Sequence, residues 1–268
     1  MKKRLIIYLL VAGSLLVLLL FIIVFRSQQP SLVNNPTVDI DLITPVNINN
    51  DGDPVDPPTI DGEPLINLMP ETVYLAVPYI NETLDSAWTG PWKNACEEAV
   101  ITMVEKYYLG DKTVTKEEAR EFMQMLFDKQ DELWGTNFNA DAARMAQLID
   151  DYTSYGAKVV DDPTLESIKV ELQNNQPIIA LHYGFDLKNS NIPFMPLPRG
   201  TSYHTTVIIG YDDKTKEFIT NDPGDTVNGP NHRYDYDLFL NSLHDYSFST
   251  KQADGPARVI FTSSKSNQ

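Results

Sequence analysis

An uncharged apolar run near the N-terminus is the strongest constraint on how this chain can fold. The run extends from Leu5 to Phe25 and follows Lys2, Lys3 and Arg4. A helix of about 20 apolar residues spans the roughly 30 Å hydrocarbon core of a bilayer, where backbone polar groups must be bonded internally. The sequence therefore predicts one transmembrane helix, with residues 1–26 forming a cytoplasmic tip and membrane anchor.

The flanks of this run favour an anchor over a cleaved signal peptide. A signal peptide has a shorter apolar part, of about 7–15 residues, and small residues at its cleavage site. This run is longer and ends at Phe25-Arg26. Because most of the nearby basic residues precede the run, the positive-inside rule keeps the N-terminus cytoplasmic. We therefore expect a single-pass cell-membrane protein whose C-terminal domain is extracytoplasmic.

Composition divides the rest of the chain and excludes one class of partner. The 268 residues carry a formal net charge of −16, with no basic stripe, so we expect no nucleic-acid partner. Residues 27–72 are rich in Pro, Asp and Asn, which predicts an extracytoplasmic stalk; within it, 38–43 alternates weakly and is a candidate edge strand. Residues 73–262 have the pattern of one globular domain, and 263–268 form a tail.

Helix signals come first in the globular domain, and strand signals dominate its second half. Capping residues predict four helices, starting at Asn94, Thr115, Asn139 and Thr164. Apolar runs predict strands at 74–80, 177–183, 204–211 and 217–221. This order indicates an α+β domain in which N-terminal helices pack on an antiparallel sheet.

Cys96 is the only cysteine, so an internal disulfide is excluded. If Asn94 caps the first helix, Cys96 is its second residue, where the helix dipole favours a thiolate. The alternative is a buried cysteine that packs the start of the helix. Both interpretations stay open on this residue alone.

A thiol nucleophile needs a base and a group that orients the base, and one hairpin supplies both. With a turn near Asp213 and Lys214, His204 and Asp222 fall nearly opposite each other, and cross-strand neighbours lie about 5 Å apart at Cβ. The alternative is that Asp222 only initiates a turn with Pro223.

Four segments together resemble the C39-like peptidase family, over about residues 73–262. They are Val77-Pro-Tyr-Ile-Asn81, Cys96-Glu-Glu-Ala99, His204-Thr-Thr-Val-Ile-Ile-Gly-Tyr-Asp-Asp213 and Asn221-Asp-Pro223. The resemblance implies a papain-like cysteine peptidase fold with Cys96 as nucleophile, His204 as base and Asp222 as the residue that orients the base. It predicts a membrane-anchored thiol hydrolase acting on a peptide or protein substrate.

The chain departs from that family before the cysteine. The family usually carries a glutamine there, whose amide helps to stabilise the oxyanion, but Glu82 occupies the expected place. A carboxylate would repel an oxyanion. The oxyanion candidates are therefore Asn81, Asn94, Trp92 and Glu82, together with the backbone N–H of Cys96.

The remaining residues predict neither a metal nor a cofactor. His182, His232 and His244 lack metal-ligand spacing. Trp88 and Trp92 line a substrate groove or pack under the loop before the cysteine. Two other functions remain open: a catalytically inactive binding module on the same fold, and a cell-wall amidase or transglutaminase-like enzyme.

Overall fold

Most of the predicted globular domain is described by the computed structural model. It covers residues 69–84, 89–194 and 202–265, and the backbone of 59–60 and 63–64. The apolar run Leu5–Phe25 and the candidate strand 38–43 lie outside these residues. Within the described part, no helix has the length and apolar character needed to cross a bilayer.

The helices of the described part begin mainly at residues that cap them. They are α1 (Cys96–Tyr108), α2 (Lys116–Trp134), α3 (Ala142–Tyr152), α4 (Leu165–Gln173) and α5 (Tyr236–Asn241), with 3-10 turns at Gly90–Asn94 and Gly184–Leu187. Thr115 and Thr164 cap α2 and α4, as predicted, and each forms a capping box.

Two predicted caps are wrong. Asn94 ends the 3-10 turn that Pro91 initiates, so its backbone lacks the extended conformation of a cap, and α1 starts after Ala95 without a side-chain cap. Cys96 is thus the first residue of α1. Asn139 adopts a left-handed conformation, and Asp141 caps α3 instead by accepting a hydrogen bond from the backbone N–H of Arg144.

An antiparallel sheet of seven strands forms the second layer. The strands of the described part are β1 (Thr59–Ile60), β2 (Glu63–Pro64), β3 (Thr72–Tyr74), β4 (Tyr155–Asp161), β5 (Ile178–Tyr183), β6 (Tyr203–Asp212), β7 (Glu217–Asn221), β8 (His232–Asp235) and β9 (Arg258–Ser264). The order in the large sheet is β4-β9-β5-β6-β7-β8, β3 pairs with one end of β6, and β1 and β2 form a separate pair. The predicted α+β class with an antiparallel sheet is confirmed.

Helix α1 lies against β6 and is buried over most of its length. Every residue from Cys96 to Glu105 is buried, including the glutamates of its first turn. A helix with apolar residues on all sides belongs in a core, whereas buried carboxyl groups are costly unless they are neutral or paired. The start of α1 therefore combines a packed core with groups of unusual protonation.

Strand prediction failed in two ways. The predicted strand 74–80 shortens to Thr72–Tyr74, because Pro78 has no N–H to donate to a ladder and Leu75 makes the last sheet-like bond, to Ile209. Strands β4, β8 and β9 were not predicted, since their sequences show no clear alternation of apolar and polar residues.

Gly210 gives a test of the close contact between β3 and β6. A Cβ at this position would lie 2.2 Å from the carbonyl oxygen of Val73, an approach that backbone cannot relieve. We expect Gly210→Ala to lower the free energy of unfolding by about 3 kcal/mol. The matched control is Gly110→Ala, where the space is open and only the positive φ of 81° is unfavourable, at about 1 kcal/mol. Urea unfolding of the full chain measures both, and equal losses would contradict the predicted clash.

Candidate active site

Three secondary-structure elements bring the predicted catalytic side chains together. Cys96 begins α1, His204 is the second residue of β6, and Asp222 follows the last residue of β7. Because α1 packs on β6, the thiol and the imidazole lie close together. The Cys96 sulfur, one imidazole nitrogen and one carboxylate oxygen of Glu82 all lie within 4.8 Å of one another.

The relation between His204 and Asp222 is diagonal, whereas the sequence suggested nearly direct opposition. At the turn Asp212 pairs with Glu217, which places Asp222 further along β6 from His204, and a β-bulge between Ile208 and Gly210 recovers one residue, so that Val207 lies opposite Asn221. Asp222 then falls level with the position two residues beyond His204, on the same face, which remains within reach. The absence of a side chain at Gly224 leaves room for the imidazole, because a Cβ there would lie 3.0 Å from Cε1 of His204.

Asp222 is fully buried and its carboxylate is held by several donors. One oxygen accepts a 2.7 Å bond from Nε2 of His204 and a 3.1 Å bond from the N–H of Gly224. The other accepts from the Tyr234 hydroxyl at 2.6 Å and from the Asn189 amide at 3.4 Å. Burial alone would raise the pKa of Asp222, but His204 and the bonds from His204 and Tyr234 bring it down to about 2.

The same pairing sets the state of His204. Burial tends to lower the pKa of this imidazole, but the charge and hydrogen bond of Asp222, followed by Glu82 and Glu97, raise it above the usual value. Since Nε2 is engaged by Asp222, Nδ1 is the nitrogen left to take a proton from the thiol. This is the arrangement of an oriented general base.

The thiol of Cys96 is not activated in the way that its position suggested. Burial, the charges of Glu97 and Glu82, and a hydrogen bond to Glu97 raise its pKa well above the usual range. The sulfur donates that bond to Oε2 of Glu97 at 2.9 Å. The predicted lowering of the thiol pKa by the helix start is therefore wrong, since desolvation and neighbouring acids outweigh the dipole. To attack a substrate, the thiol must turn from Glu97 to His204.

The four oxyanion candidates are placed very differently. Asn81 donates its amide to the carbonyl of Pro223 at 2.9 Å and accepts from Thr83, so it is committed to its own loop. Trp92 packs edge-on against Phe127 at 5.4 Å between ring centroids.

Asn94 and Glu82 both line the cavity beside the thiol, and a carboxylate oxygen of Glu82 lies within 4.8 Å of the Cys96 sulfur.

Sequence reasoning missed three residues that shape the site. Glu97 appeared only as part of the motif Cys96-Glu-Glu-Ala99, yet its carboxyl points inward and also accepts a hydrogen bond from the N–H of Ala140 at 2.9 Å. Tyr234 and Asn189 hold Asp222, but they come from an unpredicted strand and a loop, so no local pattern indicated them.

A cavity of about 460 Å³ opens onto the thiol and the imidazole. Its walls include the apolar side chains of Phe138, Ile192 and Phe194, with Lys93 at the same opening. An apolar cleft with a few polar groups at one end is typical of a substrate site. Trp88, which was predicted to flank it, lies outside the described residues.

The other histidines lie elsewhere in the described domain. His182 is buried and bonds to Ser242 and Thr206, and burial lowers its pKa well below the usual value. His232 contacts Asp225, and His244 bonds to the carbonyl of Gly255.

Among the described residues, the group around Cys96 is the one set of three or more His, Cys, Asp or Glu side chains close enough to share a cation. Any metal would therefore compete with the thiol chemistry for the same atoms.

Comparison with known proteins finds one matching family and several similar solved structures. The description "Peptidase_C39 like family" matches residues 74–253. A Bacillus anthracis protein assigned to the C39-like peptidases has 15% sequence identity and a TM-score of 0.47, over 73% of this chain and 99% of that one. Xylellain, a cysteine protease from Xylella fastidiosa, has 11% identity and a TM-score of 0.46, over 75% and 88%. No curated protein sequence matches the chain.

The bond between Cys96 and Glu97 gives a prediction about thiol reactivity. In Glu97→Gln the charge is lost and the amide can donate to a thiolate, so the pKa of Cys96 should fall. Each unit is a factor of ten in thiolate fraction, and we expect alkylation by iodoacetamide at neutral pH to become about tenfold faster. Glu98→Gln is the matched control, because Glu98 bonds to Gln130 and not to the thiol. Equal rates in the two variants would contradict the role given to Glu97.

Proposed function

Because this chain belongs to the Peptidase_C39 like family, we propose that it is a cysteine peptidase that cleaves peptide bonds by acyl transfer through Cys96. The observation that carries the proposal is the buried imidazole of His204, which is bonded to Asp222 at 2.7 Å and has a nitrogen within 4.8 Å of the thiol.

The proposed reaction uses each side chain in turn. Nδ1 of His204 takes the thiol proton as the sulfur of Cys96 attacks the substrate carbonyl carbon. The tetrahedral intermediate collapses to a thioester, and the leaving amine receives the proton from His204. Water, deprotonated by the same imidazole, then hydrolyses the thioester and restores the thiol. Asp222 keeps the imidazole oriented and stabilises its charged form.

The cavity supports a peptide substrate with an apolar side chain near the scissile bond. Phe138, Ile192 and Phe194 supply apolar wall next to the thiol, and burying one apolar side chain there contributes about 1.5–3 kcal/mol. Lys93 at the opening favours an acidic group on the same substrate. The papain-like fold expected of the family agrees with a catalytic helix packed on an antiparallel sheet.

A second candidate is a non-catalytic binding module on the same fold. The specific observation in its favour is the resting thiol, which is bonded to Glu97 and has a raised pKa. In this alternative the cavity holds a peptide without cleaving it. A cell-wall amidase or transglutaminase-like enzyme would use the same three side chains on another substrate class.

Substitution of the thiol separates these functions. We expect Cys96→Ala to abolish cleavage of denatured protein and His204→Gln to lower kcat by about 10²–10⁴, as loss of a general base does. Tyr236→Phe is the control, because its hydroxyl bonds to Asp213 away from the site. Assays of peptidoglycan and of acyl transfer to an amine run beside the protein assay. Binding without cleavage by the unchanged protein would favour the binding module, and cleavage that survives Cys96→Ala would contradict thiol catalysis.

We also propose that residues 1–26 anchor the chain in the cell membrane, that 27–72 form a stalk, and that the 73–262 domain lies outside the cytoplasm with residues 263–268 as its tail. The support is the apolar run Leu5–Phe25 with basic residues before it. A protease added to intact or wall-stripped cells should release the domain by cutting the stalk. A domain that stays protected while the membrane is sealed would show the opposite topology.

A further inference from the structure

Glu82 is a buried acid whose carboxyl group faces the reacting atoms. Its side chain lines the cavity together with Cys96 and His204, within the 4.8 Å cluster of donor atoms. Its backbone is fixed, since its N–H donates to the carbonyl of Pro223 at 3.1 Å, in the loop that carries Asp222. The carboxyl group is therefore held in place beside the thiol.

The titratable groups around Glu82 come from several elements, and three of them are carboxyl groups. They are Tyr79 from the segment after β3, Cys96, Glu97 and Glu98 from the start of α1, His204 from β6, Asp222 from the loop after β7, and Lys93 from the 3-10 turn before α1. Like charges buried together cannot all ionise.

Asp222 takes the negative charge of this cluster because it has His204 and three further donors. Within the described residues, no comparable set of donors bonds to the carboxyl group of Glu82. Burial, with smaller contributions from Asp222 and Glu97 against the opposing charge of His204, raises the pKa of Glu82 to about 8.

We propose that Glu82 acts as a neutral carboxylic acid and donates a hydrogen bond to the oxyanion that forms when Cys96 attacks a substrate carbonyl. The inference rests on the proposed peptidase function and concerns the same site. It replaces the expectation that an acid at this place must repel the oxyanion, because the repulsion belongs to the carboxylate alone. A carboxylic acid kept neutral by its surroundings is a good oxyanion donor.

The step balances without a proton leaving Glu82. As the bond from sulfur to carbon forms, the π electrons of the carbonyl move onto its oxygen and the thiol proton goes to His204. The O–H of Glu82 donates to that oxygen, and the N–H of Cys96, which has no intrahelical partner at the first helical position, is the second donor. When the carbonyl reforms, the amine leaves with the proton from His204 and Glu82 keeps its own.

This role makes activity depend on the acid form of Glu82. Since the pKa of Glu82 is about 8, the acid form dominates below that pH and kcat/KM should fall about tenfold per unit above it. In Glu82→Gln the amide donates at every pH, so the alkaline decline should disappear. Glu82→Ala removes the donor and should lower kcat/KM by about 10²–10³ throughout.

The experiment measures kcat/KM of the full chain from about pH 5 to pH 10 on a denatured protein substrate, with EDTA present to remove adventitious cations. Glu98→Gln is the control, because Glu98 is a buried acid of the same helix start that bonds to Gln130. The expected result is an alkaline decline in the unchanged protein and in Glu98→Gln but not in Glu82→Gln. Superimposable profiles for the unchanged protein and Glu82→Gln, or full activity in Glu82→Ala, would overturn the inference.

Urea unfolding of the same proteins reports the protonation of Glu82 without any substrate. The unfolded state releases this proton near the usual pKa of 4.5 and the folded state only near 8, so the unfolding midpoint should fall as pH rises between these values. The fall should be smaller in Glu82→Gln. An identical fall in both would overturn the neutral acid. A smaller fall of the unfolding midpoint in Glu82→Gln, together with no thiol-dependent cleavage by the unchanged chain or any variant, would instead overturn the proposed peptidase function. The donor role would be overturned with it.

Discussion

The buried bond between His204 and Asp222 is the interaction on which the geometry of the site depends. A carboxylate without solvent is costly by several kcal/mol unless donors surround it. Asp222 obtains them from β6, from Tyr234 on β8 and from the loop that carries Asn189. These bonds join three parts of the chain to the two carboxylate oxygens of Asp222. The imidazole of His204 is therefore held by a carboxylate that the surrounding sheet and loop keep in place.

Much of this site could be predicted from local sequence, because its parts follow short-range rules. A hairpin turn of four polar residues fixes which ends of two strands meet, and so His204 and Asp222 were expected to lie together. The helix caps at Thr115 and Thr164 were equally local. Their prediction needs only the hydrogen bonds between a hydroxyl and the third residue of a helix.

What could not be predicted depends on tertiary contacts. The bulge in β6 changes the register by one residue, and no local pattern marks it. Helix α1 starts one residue later than predicted, because the 3-10 turn that contains Pro91 continues through Asn94. The protonation of Cys96 was predicted from the helix dipole alone, whereas the burial of the first turn and the inward position of Glu97 decide it.

The number of donors around each carboxyl group explains how one cluster can contain both an ionised and a neutral acid. Asp222 and Glu82 are similarly buried and share His204 as a neighbour. Asp222 accepts hydrogen bonds on both oxygens, so its charge is stabilised and its pKa falls to about 2. Glu82 faces a cavity and other acids, so its charge is disfavoured and its pKa rises to about 8. Acids whose pKa values are pushed apart in this way divide between ionic and donor roles. The replacement of an amide by a carboxyl at position 82 is thus compatible with oxyanion chemistry, because the fold buries that carboxyl near other acids and, within the described residues, gives it no set of donors like that of Asp222.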